Sequence, residues 1–123
     1  MSTTLAAQAG RSADRIALVS AVLHLLVGAL GVWLAQRDDA AATYWMLAGF
    51  AALGLLATLL GRAAVKAGRA AWTGGLVVLG LSLVLLLAAL TGEGGLGVLS
   101  CAIPLLFIDV LLFSNARRAL SGP

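Results

Sequence analysis

The chain has 123 residues, of which 62% are apolar, 11% charged and 6% aromatic, and its mean hydropathy is +1.07. A soluble domain carries about 25% charged residues, and a small one buries only about two-thirds of the surface its chain exposes. A soluble globule and a polar disordered chain are therefore both excluded, and the one cysteine excludes an intramolecular disulfide framework and Cys-based zinc sites. The composition is that of an integral membrane protein with a single domain over residues 1–123.

Arg11 and Arg15 precede the first apolar span, about 16–35. Basic residues before it and Ala40-Ala41-Ala42 after it give it some look of a signal peptide. Its apolar run exceeds the 7–15 residues of a signal core, so it is expected to be a true span. Ala17, Ala21, His24, Gly28, Gly31 and Ala35 recur along it at spacings of four and three. In lipid, helices associate by close backbone approach at small residues, so this stripe is the expected packing seam.

His24 lies on that seam near the middle of the span and should point inward. It is a candidate for proton relay or ligation, set against a neutral imidazole bonded to a neighbouring helix. It is also the only histidine, so bis-His haem ligation within one chain is excluded.

Residues 36–43 form the first connection, with Arg37, Asp38 and Asp39, and lead to a second span at about 44–60. Ala51, Gly54, Thr58 and Gly61 repeat the small-residue rhythm there. The second connection, 61–71, holds Arg62, Lys66 and Arg69 at spacings of four and three. These share one face if the helix continues through it, a candidate contact for anionic lipid worth about 1 kcal/mol per charge.

The third span, about 72–90, carries Ala71, Gly75, Ser82 and Ala89 on its expected seam. A glycine turn follows, with Gly92, Gly94 and Gly95 beside Glu93. The fourth span, about 96–114, contains Cys101, Pro104 and Asp109, and Arg117 and Arg118 follow it. Cys101 reads as a small hydrophobe, and Pro104 as a break in the helix ladder.

A carboxylate at the depth of Asp109 is costly unless paired, and such residues are functional candidates by default. Its candidate partners are Arg15, Arg117, Arg118 and His24.

Each span has the length needed to cross ~30 Å of hydrocarbon as a helix, and backbone satisfaction in lipid leaves only helices for segments that are apolar all round. The expected fold is all-α: an integral membrane four-helix bundle, up-down-up-down because the connections are short. Seven of the eight Lys and Arg residues fall on one side of this arrangement, against Arg37 on the other. The positive-inside rule then gives an N-in/C-in orientation. Trp33, Tyr44 and Trp45 at one level and Trp72 at the other fit interfacial belts.

No Ser-His-Asp set, zinc-protease motif, phosphate loop or dinucleotide fingerprint occurs. No enzyme activity, cofactor or metal is expected, and no nucleic-acid partner, because nothing soluble is left to hold a duplex. The expected setting is multi-pass in the plasma membrane, a bacterial inner membrane, with the bilayer and other membrane subunits or further copies as partners. Two functions are weighed: a non-catalytic accessory or scaffolding subunit of a larger membrane complex, and a small ion- or solute-translocating homo-oligomer using Asp109 and His24.

Overall fold

In a computed structural model the chain forms, among the described residues, four α-helices: α1 (Ser2–Arg37), α2 (Ala41–Ala67), α3 (Arg69–Leu90) and α4 (Gly95–Ser121). The structure describes residues 2–37, 41–92 and 95–121, with side chains for 8–37, 42–92 and 97–120. Asp38, Asp39, Ala40, Glu93 and Gly94 lie outside the described residues. By length and composition, all four helices are long and apolar enough to cross a membrane.

Three of the helices outrun their apolar spans. α1 has 36 residues, or ~54 Å at 1.5 Å per residue, well beyond a hydrocarbon thickness. Ahead of the apolar span the helix carries Gln8, Arg11, Asp14 and Arg15, polar residues suited to water on one face, while small residues face its neighbours. There Ala9, Ala13 and Ala17 are buried, and Ala13 and Ala17 pack with Leu112 of α4 and Val65 of α2.

The second connection is correspondingly shorter than residues 61–71. α2 runs to Ala67, and Gly68 alone separates it from α3. Gly68 closes α2 by donating its N–H to the Ala64 carbonyl at 2.9 Å. It then turns the chain at φ 98°, ψ −168°, a region open essentially only to glycine.

This turn corrects the expected basic stripe. Arg62 and Lys66 belong to α2, whereas Arg69 opens α3 beyond the break, so the three do not share one helix face. All three are exposed. Arg62 Nε donates to Asp14 Oδ1 at 3.2 Å, an exposed pair of a kind worth about 0–1 kcal/mol.

Successive helices run antiparallel. Along α1 and α2, Gly10 meets Val65, Gly28 meets Ala51 and Gly31 meets Tyr44 and Ala48. Along α2 and α3, Leu60 meets Gly75 and Gly49 meets Leu85. α1 packs on α2 and α4, α2 touches all three others, and α1 and α3 stand on opposite sides of the bundle.

Among the described glycines the closest approach to a neighbouring helix's backbone is at Gly31, where a Cβ would sit 3.1 Å from the Ala48 nitrogen and the Tyr44 oxygen. Any side chain there would push α1 off α2.

Two apolar clusters fill the interior at different heights. Leu47, Phe50, Leu86, Ala89, Val98, Ala102 and Leu105 make the larger one, and Ala13, Ala17 and Leu112 the smaller. Between them, at the level of Ser20 on α1, lies the only group of buried polar side chains drawn from three helices among the described residues.

Candidate functional site

Four side chains meet between the apolar clusters: Ser20 and His24 from α1, Thr58 from α2 and Asp109 from α4, each 0–1% exposed. Ser20 and His24 are one turn apart and so face the same way. The antiparallel packing of α1 on α2 sets Thr58 and Gly54 opposite them. α4 brings Asp109 in from the other flank.

Gly54 is what lets the imidazole fit. A Cβ on Gly54 would overlap His24 Cδ2 and Nε2, so the ring lies directly against the α2 backbone.

The proton arrangement follows from counting donors. His24 Nδ1 stands 2.7 Å from the Ser20 carbonyl oxygen, which can only accept. This network therefore assigns a proton to Nδ1. Nε2 then faces Asp109 Oδ2 at 3.4 Å. That separation is long for a hydrogen bond, and neither atom has a hydrogen-bond partner.

A neutral imidazole lone pair against an ionised carboxylate would be repulsive and doubly unsatisfied. One proton therefore belongs to the pair, on Nε2 or on Oδ2, and the pair is neutral overall in either form.

The hydroxyls are short of protons as well. Thr58 Oγ1 donates to the Gly54 carbonyl at 2.9 Å, so in its 2.9 Å contact with Ser20 Oγ it accepts. Ser20 Oγ also reaches Asp109 Oδ1 at 3.4 Å. It has one proton for these two acceptors, and the shorter bond to Thr58 takes it unless Thr58 releases Gly54. The cluster can thus hold one proton between His24 and Asp109 and re-aim two hydroxyls around it. Among the described residues it makes no exposed polar contact.

The expected site residues fall as follows. His24 and Asp109 come together, while Arg15, Arg117 and Arg118 are exposed and Asp109 is fully buried. On α1, Ala17, Gly31 and Ala35 are buried, and Ala21 and Gly28 are half-buried. The buried line runs Ala13, Ala17, Ser20, His24, Gly31, Ala35, so Ser20 and not Ala21 sits at its centre. Gly54 and Gly75 are buried on α2 and α3.

Ser20 was missed by sequence reasoning. Its position four residues before His24, on the same face, was the available signal. Ser82 bonds within its own helix, to the Leu79 carbonyl at 2.6 Å, and joins no interhelical network. Cys101 is a half-buried free thiol. Among the described residues, no three His, Cys, Asp or Glu side chains gather in one place.

At the end of the bundle where α2 gives way to α3, Trp72 Nε1 donates to the Phe113 carbonyl at 3.1 Å, and the Arg117 guanidinium lies 5.9 Å from the indole centroid. At the opposite end Arg37 lies 4.7 Å over Trp33. No family model, curated protein or solved structure matches this chain, and the chemistry of the site stands on its geometry.

Proposed function

We propose that the chain is a multi-pass protein of the plasma membrane, with both termini on the cytoplasmic side, serving as a non-catalytic accessory or scaffolding subunit of a larger membrane assembly. Insertion in a bilayer is supported by the outward faces. Leu18, Leu26, Val84, Leu87 and Phe107 are all more than 60% exposed, a surface suited to lipid or to neighbouring helices and not to water. Orientation is supported by the way antiparallel packing gathers the basic residues: the Asp14–Arg62 pair and the Trp72–Arg117 contact lie at one end, opposite Arg37.

The observation that carries the accessory role is the closure of the polar cluster. Ser20, His24, Thr58 and Asp109 are sealed above and below by apolar side chains. A conducting path needs polar groups that continue toward both surfaces.

The test has two parts. Arg37→Cys should react with an impermeant thiol reagent from outside and Lys66→Cys only from inside, on a Cys101→Ala background. The reverse pattern would refute the orientation. Purified in mild detergent, the chain should run with other chains in fixed ratio, and in vesicles it should give no ion or proton flux above empty controls. A lone oligomer that conducts would refute the accessory role.

A second reading, a proton- or ion-translocating homo-oligomer, is favoured by one observation. His24 Nε2 and Asp109 Oδ2 are buried without hydrogen-bond partners, and donor counting assigns the pair one proton. Under this reading Asp109→Asn abolishes flux while the bundle still folds. Under the accessory reading Asp109→Asn leaves assembly intact.

A further inference from the structure

A cavity of about 320 Å³ opens between the first turn of α3 and the last turns of α4, lined by Arg69, Trp72, Thr73, Arg117 and Leu120. We propose that it is a binding site for the phosphodiester headgroup of an anionic phospholipid. The inference requires that the bundle sit in a bilayer, but not that it serve a larger assembly.

Two arginines from different helices line the cavity, and among the described residues no carboxylate does. Planar guanidinium forks match phosphate oxygens bidentately, and each carries five N–H donors, enough to serve a phosphate beside other partners. Arg69 and Thr73 are one turn apart on α3 and present a cation and a hydroxyl to the same side.

The far wall is fixed. Trp72 is anchored by its bond to the Phe113 carbonyl, and Arg117 is positioned against the indole. A tryptophan beside arginines also belongs at headgroup level.

What favours a lipid over a free phosphate is the surface that leads away from the cavity. Leu76, Gly80 and Leu83 follow Trp72 and Thr73 at helical spacing along α3, and all are exposed. A Cβ on Gly80 would meet nothing within 4 Å. An acyl chain can lie along this strip while its headgroup stays in the cavity.

The test uses the full chain with Trp33→Phe and Trp45→Phe, so that Trp72 is the only indole. Flotation with phosphatidylcholine vesicles first establishes bilayer insertion, independently of the headgroup site. In detergent micelles, Trp72 emission should then change saturably with phosphatidylglycerol and not with phosphatidylcholine.

Arg69→Gln/Arg117→Gln should raise the half-saturating concentration by about tenfold or more. Arg62→Gln/Lys66→Gln, which removes the same charge at the same end, should leave it within about twofold. Arg69→Lys/Arg117→Lys keeps the charge and the fold, and should still weaken binding because the forks are lost. Equal weakening by the two glutamine pairs, an equal response to phosphatidylcholine, or saturation by inorganic phosphate without a response to phosphatidylglycerol would each overturn the assignment.

Discussion

Replacing Asp109 by leucine keeps the branch at Cγ and removes both carboxylate oxygens from a fully buried site. It leaves His24 Nε2 without a polar partner, since the other hydrogen bonds of the ring are made through Nδ1. Ser20 Oγ keeps Thr58, so the orphaned ring nitrogen carries the loss. A neutral buried acceptor without a donor costs about 1–3 kcal/mol, and breaking a buried ion pair costs about 3–5 kcal/mol.

His24→Leu removes the other half. It bares Asp109 Oδ2 and gives up the Nδ1 bond to the Ser20 carbonyl, at a loss in the same range. The double variant leaves neither group behind, and apolar replacement of a buried pair is commonly neutral or stabilising. Its loss should therefore not exceed that of either single change, which gives a coupling of about 1–3 kcal/mol. Reversible unfolding by SDS in mild detergent, followed by helical circular dichroism, measures all four corners of the cycle. Losses that add to within about 0.5 kcal/mol would show that the two side chains do not interact, and the one-proton pair would have to be abandoned.

The same titration checks three glycines. Gly54→Ala should cost about 1–3 kcal/mol, because its Cβ displaces the His24 ring. Gly80→Ala, with open space around it, should gain up to about 1 kcal/mol in helix propensity, and equal effects at the two positions would contradict the packing described. Gly68→Ala should lose about 1–3 kcal/mol through the backbone alone, since no atom lies near its Cβ position. A loss below about 0.5 kcal/mol would mean that the α2–α3 turn does not require positive φ. Gly31→Leu should separate α1 from α2 and abolish cooperative unfolding, whereas Val22→Leu on the exposed face should stay within about 0.5 kcal/mol; similar losses would place Gly31 on an outer face.

Much of the architecture was legible in the sequence because lipid-compatible helices carry a strong one-dimensional signal. The lengths of the four apolar runs, the short connections and the small-residue rhythm around Gly28, Gly31 and Gly54 are local properties. Hydropathy does not mark where helices end. Ala-rich and Arg-rich segments remain helical outside an apolar run when a neighbour buries one of their faces. Ala13 and Ala64, both fully buried, are held this way, and neither expected span contains them. Gly68 ends α2 where Gly61 does not, because Gly61 is packed against Leu112 and Phe113 while Gly68 takes a backbone conformation that only glycine reaches.

By itself the sequence determined that His24 faces inward with the small residues of α1 and that Asp109 needs a partner in an apolar segment. Those two statements follow from period and solvation, which are properties of one helix at a time. Only the tertiary structure decided that the partner is His24 and not an arginine. The choice depends on the relative height of α1 and α4, and helix stagger is set by how side chains interlock across the interface. Depth along the chain put Arg15 as near to Asp109 as His24. In the folded bundle Ala13 and Ala17 dock on Leu112, which fixes the stagger one turn further along α1. The same packing brings Thr58 up to Ser20 and clears room for the imidazole at Gly54. A polar cluster assembled from three helices has no spacing of its own in the sequence, because its members are brought together by packing and not by period.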